Sequence, residues 1–311
     1  MRTFLKISVA LMLSSVMLFG CKPEDDPNNG GNNGGNSGGI QPLTTETIDG
    51  VYSVDSFTVV YFSQGNLQYQ AYTNTWRFAG RQWECCGDDN SNISSTYDGW
   101  IDLFGWGTSG QKHGAVCYQP WSISDTLSHF WAYGKGKYDL CDSTRRADWG
   151  YNAIINGGNV HNVWRTLSDK EWDFILNTRT TLSGIRYAKV KLTEVDGAGV
   201  DGVNGLVLLP DDWKTEFFPL NETNTYNANY VSNTITVSQW STLEEHGAVF
   251  LPAAGHREGT LLRVGFGNYW TTTHTYTTGA KGLYFSKLYV APSYFNNRNL
   301  GASVRLVRSF K

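Results

Sequence analysis

The side chain whose position first suggests chemistry is the thiol of Cys21. It follows Gly20 at the end of an apolar stretch, residues 7–19, which begins after the basic side chains of Arg2 and Lys6. This stretch is too short to cross a bilayer as a helix, and no stop-transfer pattern follows it. It is therefore predicted to be a targeting segment, so the protein is expected to leave the cytoplasm.

The segment Leu18-Phe19-Gly20-Cys21 resembles the cleavage site of bacterial lipoprotein signals. The resemblance implies cleavage before Cys21 and a diacylglycerol unit, with acyl chains of the palmitate type, on its thiol. The acidic segment 22–26 is similar to the export signal that sends lipoproteins of Bacteroidota-type bacteria to the cell surface. We expect a lipid-anchored, surface-exposed protein of the outer membrane. Periplasmic retention, or an ordinary secretory signal with an incidental cysteine, are the alternatives.

Four further cysteines, Cys85, Cys86, Cys117 and Cys141, would then lie in an oxidising compartment. An even number favours disulfides, and four thiols allow three pairings. A bond between the adjacent Cys85 and Cys86 would be strained, so one or two bridges from this pair to Cys117 or Cys141 are expected. No CxxC motif and no zinc-finger histidine spacing occur, which argues against a metal cluster.

No pattern of residues predicts catalysis. The segment 107–111 lacks a glycine that a nucleophile elbow needs, and residues 265–267 lack the third glycine of a dinucleotide site. Asp211 and Asp212 could serve acid–base chemistry, but such pairs more often cap a turn or a helix. The six histidines lack metal-ligand spacing. The chain is therefore not expected to be an enzyme.

Two oxygen-rich segments, residues 87–90 and 196–201, offer some of the ligands that a hard cation needs. A solvated loop and a hairpin turn are the simpler interpretations. No cofactor is expected, although structural calcium is left open.

Charge and composition exclude one class of partner and favour an extracellular fold. The chain has 25 basic and 28 acidic residues and no basic tract that could grip phosphates, so nucleic acid is a poor partner. Charged residues make up only 17%, whereas Gly counts 34, Trp 12 and Tyr 17. This composition is typical of a loop-rich extracellular fold with many turns.

Composition also divides the chain into three parts. Residues 1–20 are predicted to be the signal peptide, residues 21–45 a flexible tether rich in Gly and Asn, which the resemblance to lipoproteins implies is lipidated, and residues 46–311 one domain. Within the tether, residues 27–39 carry no side chain that could be buried, which is typical of a flexible coil.

Short strands and two helices are predicted in the domain. Ser168 and Glu171 form a capping box before a helix whose apolar residues share one face, and a second helix is predicted from Ser238 to His246. Strands are predicted at 51–54, 58–62, 67–70, 75–78, 187–192, 205–209, 268–271, 282–285 and 303–307. The loop-rich region 87–162 and its flank carry tryptophans that could supply its core: Trp100, Trp106, Trp121, Trp131, Trp149 and Trp164.

The helix entry 165–172 is similar to that of the formylglycine-generating enzyme family. Residues 267–273, 283–285, 296–299 and 303–308 are similar to the tail of the Fibrobacter major paralogous domain. The resemblance covers residues 50–311, most clearly 160–311. It implies an α+β, C-type-lectin-like (sulfatase-modifying-factor-like) fold, loop-rich, with short twisted strands and few helices.

The formylglycine-generating enzymes use two thiols late in the domain as a copper site. This chain has no cysteine after Cys141, so the resemblance brings no catalytic residue.

In relatives diversified by retroelements, the ligand face is the tail. In this chain the candidate ligand-binding residues flank Pro292 in a predicted loop: Tyr289, Tyr294, Phe295, Asn296 and Asn297. The expected function is that of a non-catalytic surface lipoprotein that binds a glycan or a protein through its C-terminal loops. A loop folded back on the domain is the structural alternative. A fimbrial-type assembly component, or a degenerate enzyme of the formylglycine-generating type, are the functional alternatives.

Overall fold

The computed structural model describes residues 46–111, 119–131, 139–141, 146–196 and 202–309. The strands in these ranges are β1 (Tyr52–Ser53), β2 (Val59–Phe62), β3 (Leu67–Gln70), β4 (Thr75–Phe78), β5 (Arg165–Thr166), β6 (Tyr187–Thr193), β7 (Val203–Leu208), β8 (Thr234–Thr236), β9 (Val249–Pro252), β10 (His256–Glu258), β11 (Leu261–Arg263), β12 (Gly267–Thr275), β13 (Gly279–Phe285), β14 (Val290–Asn297), β15 (Leu300–Gly301) and β16 (Leu306–Ser309).

Helices are few. The α-helices are α1 (Asp169–Asp173), which continues into a π-helical segment (Phe174–Thr178), and α2 (Val237–Glu245). Short 3₁₀ helices lie at Gly87–Ser91, Leu127–His129, Trp149–Tyr151 and Tyr230–Asn233. The architecture is α+β and rich in short strands, as the sequence predicts. In the described part of the chain, no helix combines the length and the apolar run that crossing a membrane requires.

Both α-helices begin at a capping box. The Ser168 hydroxyl accepts a hydrogen bond from the Glu171 backbone N–H at 3.2 Å, and the Ser168 N–H donates to the Glu171 carboxylate at 2.7 Å. Thr236 and Gln239 form the same pair at α2. These contacts satisfy backbone N–H groups that have no partner in the first turn of a helix. The predicted cap of α1 is confirmed, and α2 lies one residue earlier than predicted.

Strands from the two ends of the domain meet in one antiparallel sheet. Its order is β1-β2-β16-β5, so that the last strand lies between an early strand and a central one. Val307 of β16 pairs with Phe62 on one side and with Arg165 on the other. This pairing joins the early strand β2 and the last strand of the described residues, β16, to the central strand β5.

A second sheet, ordered β8-β6-β7-β9, has an apolar core on each face. Because side chains alternate along a strand, Leu206 and Leu208 face one core, together with Trp172 of α1. Val207 faces the other, together with Trp240 of α2. The sheet is therefore buried on both sides.

Four of the six tryptophans predicted to supply a core for the loop-rich region do so, whereas Trp121 packs against this core half-buried and Trp100 lies outside it. Trp106, Trp131, Trp149 and Trp164 are each at most 2% exposed and pack with the β3–β4 hairpin and β12. Backbone polar groups there are satisfied by buried arginines. The Arg298 guanidinium, for example, donates to the carbonyl oxygens of residues 131, 276 and 279.

Candidate functional site: an aromatic face on the C-terminal sheet

The C-terminal sheet carries the candidate site. Strand β13 lies between β12 and β14, and all three are antiparallel. One face of this sheet packs into the core through Tyr269, Leu283 and Phe285. Because side chains alternate along a strand, the neighbouring residues point to the other face. The tryptophan core covers that face only in part.

Four rings pack together on the uncovered part of that face, and we call this set the aromatic face: Phe266, Tyr284, Tyr289 and Tyr294. Tyr284 lies at its centre, with ring centroids 5.3 Å from Phe266, 5.2 Å from Tyr289 and 4.8 Å from Tyr294. The planes of the first two pairs are within 25° of parallel. Rings in this arrangement stabilise one another and hold their positions without a ligand.

The aromatic face is uncharged near neutral pH. Burial raises the pKa of Tyr284, and the neighbouring Tyr294 phenol raises it further. Burial also raises the pKa of Tyr289, followed by its interactions with Tyr294 and Tyr284. Tyr230, which interacts electrostatically with Tyr284, is buried, and its hydroxyl has no hydrogen-bond partner. The face therefore offers ring surfaces and neutral hydroxyls, which suit stacking and hydrogen bonding to an uncharged ligand.

Strand β14 corrects the predicted loop around Pro292. Gly282 pairs with Tyr294 and Tyr284 pairs with Ala291, so Pro292 and Ser293 together face a single residue of β13. This is a β-bulge on a strand that has a sheet partner on one side only. Proline, which has no N–H to donate, is tolerated at such a position.

The structure separates the five predicted ligand-binding residues. Tyr289 and Tyr294 belong to the aromatic face. Phe295, the next residue along the strand, points to the opposite face, where its ring covers Gly279. Asn296 is buried and exchanges two side-chain hydrogen bonds, at 2.9 and 3.2 Å, with Asn268. Asn297 is exposed at the end of β14.

Sequence reasoning missed Phe266 and Tyr284. A signal for Tyr284 was present, because it stands between the two core residues Leu283 and Phe285 and must therefore point to the other face. Phe266 is placed there by its position one residue before β12, which no local pattern marks.

The thiols do not form the expected bridges. Cys85 and Cys86 are free, whereas Cys141 is disulfide-bonded and Cys117 lies outside the described residues. Burial raises the pKa of both free thiols, and the Asp102 carboxylate raises it further. Protonated thiols are poor nucleophiles, and the Cys86 backbone N–H is held by Asp102 at 3.0 Å. Cys21, the predicted lipid site, also lies outside the described residues.

The first oxygen-rich segment is a 3₁₀ helix rather than a solvated loop. Its residue Asn90 is buried, and the side-chain amide donates to Asp102 at 2.8 Å. In the described ranges, no group of three or more His, Cys, Asp or Glu side chains is arranged to hold a metal ion. Most of the second segment, residues 197–201, lies outside those ranges.

Comparison with known proteins adds no relative from which a role could be transferred to the aromatic face. No family model, no curated protein and no solved structure matches the chain.

Proposed function

We propose that this chain is a non-catalytic, lipid-anchored surface protein that binds a glycan or a protein through the aromatic face. The observation that carries the proposal is the set of four packed, partly exposed rings on one face of the C-terminal sheet, centred on Tyr284 of the middle strand β13. Aromatic rings stack on sugar rings and dominate the binding energy of protein interfaces.

The position of the face favours binding. Val264, which is 72% exposed, lies two residues before Phe266, and Leu288, which is 63% exposed, lies directly before Tyr289. Apolar residues next to a group of tyrosines form a surface whose burial by a ligand is favourable in free energy. The rigid sheet behind it lowers the entropy lost on binding.

The C-type-lectin-like fold is the finer part of the proposal. The pairing of β2 with β16 supports it, since the two ends of the domain meet in one sheet and the C-terminal strands are displayed from that base. The capped helix α1 packs on these strands, with the Ser293 hydroxyl donating to Asp169 at 2.9 Å.

The test compares a variant with Tyr284→Ala, Tyr289→Ala and Tyr294→Ala with the wild type. Both are applied to an array of neutral and acidic oligosaccharides and to a panel of extracellular-matrix proteins. We expect at least one probe to bind the wild type and to lose about 30-fold in affinity, or ~2 kcal/mol, in the variant. Tyr72→Ala is the matched control, because Tyr72 is 72% exposed and lies in the β3–β4 turn.

Unchanged affinity in the triple variant, with an unchanged melting temperature, would reject the aromatic face as the site. Binding of no probe would instead favour an assembly role, for which the structure offers one specific feature. Strand β14 pairs only with β13 among the described strands, and its residues 293–295 are exposed. An open edge of this kind can accept a strand from another subunit. In that case, a Ser293→Pro variant should lose self-association in light scattering.

A further inference from the structure

A groove of about 520 Å³, which shares no lining residue with the aromatic face, lies among the loops of the tryptophan-rich region. It is lined by one indole, two isoleucines, four serines and one histidine: Ile93, Ser94, Ser95, Trp121, Ser122, Ile123, Ser124 and His129. Its volume falls in the range of about 300–1,000 Å³ that is usual for small-molecule sites.

A buried arginine, Arg257, holds the segment of the groove lining that contains Trp121. Arg257, which is 1% exposed, donates to the Ser122 carbonyl at 2.9 Å, to the Leu103 carbonyl at 2.7 Å and to the Gly259 carbonyl at 2.9 Å. Because one planar group holds three carbonyls, the loop has little freedom to rearrange. The Trp121 side of the groove is therefore restrained without a ligand.

A side-chain hydrogen bond fixes the rim. The Ser124 hydroxyl lies 2.9 Å from the Nδ1 atom of His129, at the end of a 3₁₀ helix. The Ser122 N–H closes a turn onto the Gln119 carbonyl at 2.9 Å. Ser122, Ser124 and His129 are thus restrained by hydrogen bonds on one side of the groove, whereas Ser94 and Ser95 are exposed on the other.

The lining selects for a neutral ligand with both apolar and polar surfaces. Trp121 is half-buried and Ile123 is 50% exposed, so ring and aliphatic surface are accessible. Ser94, Ser95 and Ser124 add hydroxyls, which both donate and accept hydrogen bonds. None of the eight lining residues is Asp, Glu, Lys or Arg. Among these described lining residues, a charged ligand would meet no carboxylate, ammonium or guanidinium group to offset its lost hydration.

We propose that this groove is a second binding site and that it takes a neutral saccharide. One pyranose ring stacks its apolar face on Trp121, and its hydroxyls exchange hydrogen bonds with Ser94, Ser95 and Ser124. This site does not require the aromatic face. The two surfaces adjoin opposite ends of the β10–β11 hairpin: a side chain at Gly259 would touch Ile123, and His256 contacts Phe266 with ring centroids 5.1 Å apart.

The experiment is saturation-transfer NMR on the full domain with glucose, galactose, mannose, N-acetylglucosamine, cellobiose and xylobiose. Glucuronate and sialic acid serve as charged comparisons. We expect transfer to at least one neutral sugar, a loss of affinity of about tenfold in Trp121→Ala, and no change in the triple tyrosine variant. Trp100→Ala is the control, because that half-buried indole stacks with Arg77 at 3.8 Å, outside the groove lining.

A second variant, Ser95→Trp, fills the groove from an exposed position and should abolish the transfer even if Trp121→Ala fails to fold. The proposal is overturned if no neutral sugar shows transfer, if only the charged sugars do, or if transfer survives in Ser95→Trp. Loss of sugar binding in the triple tyrosine variant alone would overturn the groove and leave the aromatic face as the site.

Discussion

Asp102 is the residue through which pH should act most directly on stability. It is fully buried, and its carboxylate accepts hydrogen bonds from the Cys86 N–H at 3.0 Å and the Asn90 amide at 2.8 Å. Burial nevertheless raises its pKa to about 6, opposed by these hydrogen bonds and aided by the charge of Glu84. The folded protein therefore binds this proton more tightly than the unfolded chain does.

The sign of the effect follows from that difference. Between the ordinary pKa of 3.8 and a pKa of about 6, the folded state holds more protons, so rising pH lowers the free energy of unfolding. The contribution of this group should be lost progressively across that window and amounts to about 3 kcal/mol. Denaturant unfolding at pH 4.5 and pH 7 should reveal a steeper loss in the wild type than in Asp102→Asn.

The comparison concerns the two slopes, because the asparagine amide would face a donor and lower the stability at every pH. Asp212→Asn, at an exposed position, serves as the control and should keep the slope of the wild type. Equal slopes in the wild type and Asp102→Asn would contradict the assignment.

At the scale of elements, helix α1 depends on its cap. The helix has five residues before the π-helical segment begins, and such short helices are unstable without capping and packing. Ser168→Ala removes the hydroxyl that accepts the Glu171 N–H, so we expect the free energy of unfolding to fall by about 1 kcal/mol. Chemical denaturation measures this loss.

Ser241→Ala in α2 is the matched control, because that serine is exposed and only donates to the Val237 carbonyl within its own helix. It should change stability little, since alanine favours a helix interior more than serine does. Similar losses in both variants would argue against a specific role of the cap.

Some strands and helices could be predicted from the sequence, and others could not. The β3–β4 hairpin lies where β-branched and aromatic residues place it, and the capping box of α1 is visible in four residues. Strand β14 was not predicted because proline is typical of a loop. A β-bulge in a strand that pairs on one side only accommodates Pro292. The groove could not be predicted because tertiary packing alone brings Ile93 and Trp121 together, and no local sequence pattern indicates that contact.

On the scale of the whole molecule, the prediction is that a lipid anchors the protein to the membrane. The sequence predicts a flexible tether before the domain, with no apolar side chain that could be buried in residues 27–39, and a lipid on Cys21. Several buried acyl chains give stable membrane attachment. Cys21→Ala should therefore move the protein from the membrane to the soluble fraction.

Protease treatment of intact cells tests the side of the membrane. Degradation of the wild type would support surface display, and survival would place the domain in the periplasm. A Cys21→Ala protein that stays in the membrane fraction would contradict lipid attachment.

The pairing of β2 with β16 has a mechanical consequence. A ligand held by the C-terminal sheet and a lipid held in the membrane would pull on opposite ends of the domain. Because those ends lie side by side, with Ser309 opposite Val60 and Val307 opposite Phe62, tension passes across a few backbone hydrogen bonds between adjacent strands. The force at which the anchored domain unfolds is then set by the hydrogen bonds between β2 and β16, and not by the melting temperature of the domain.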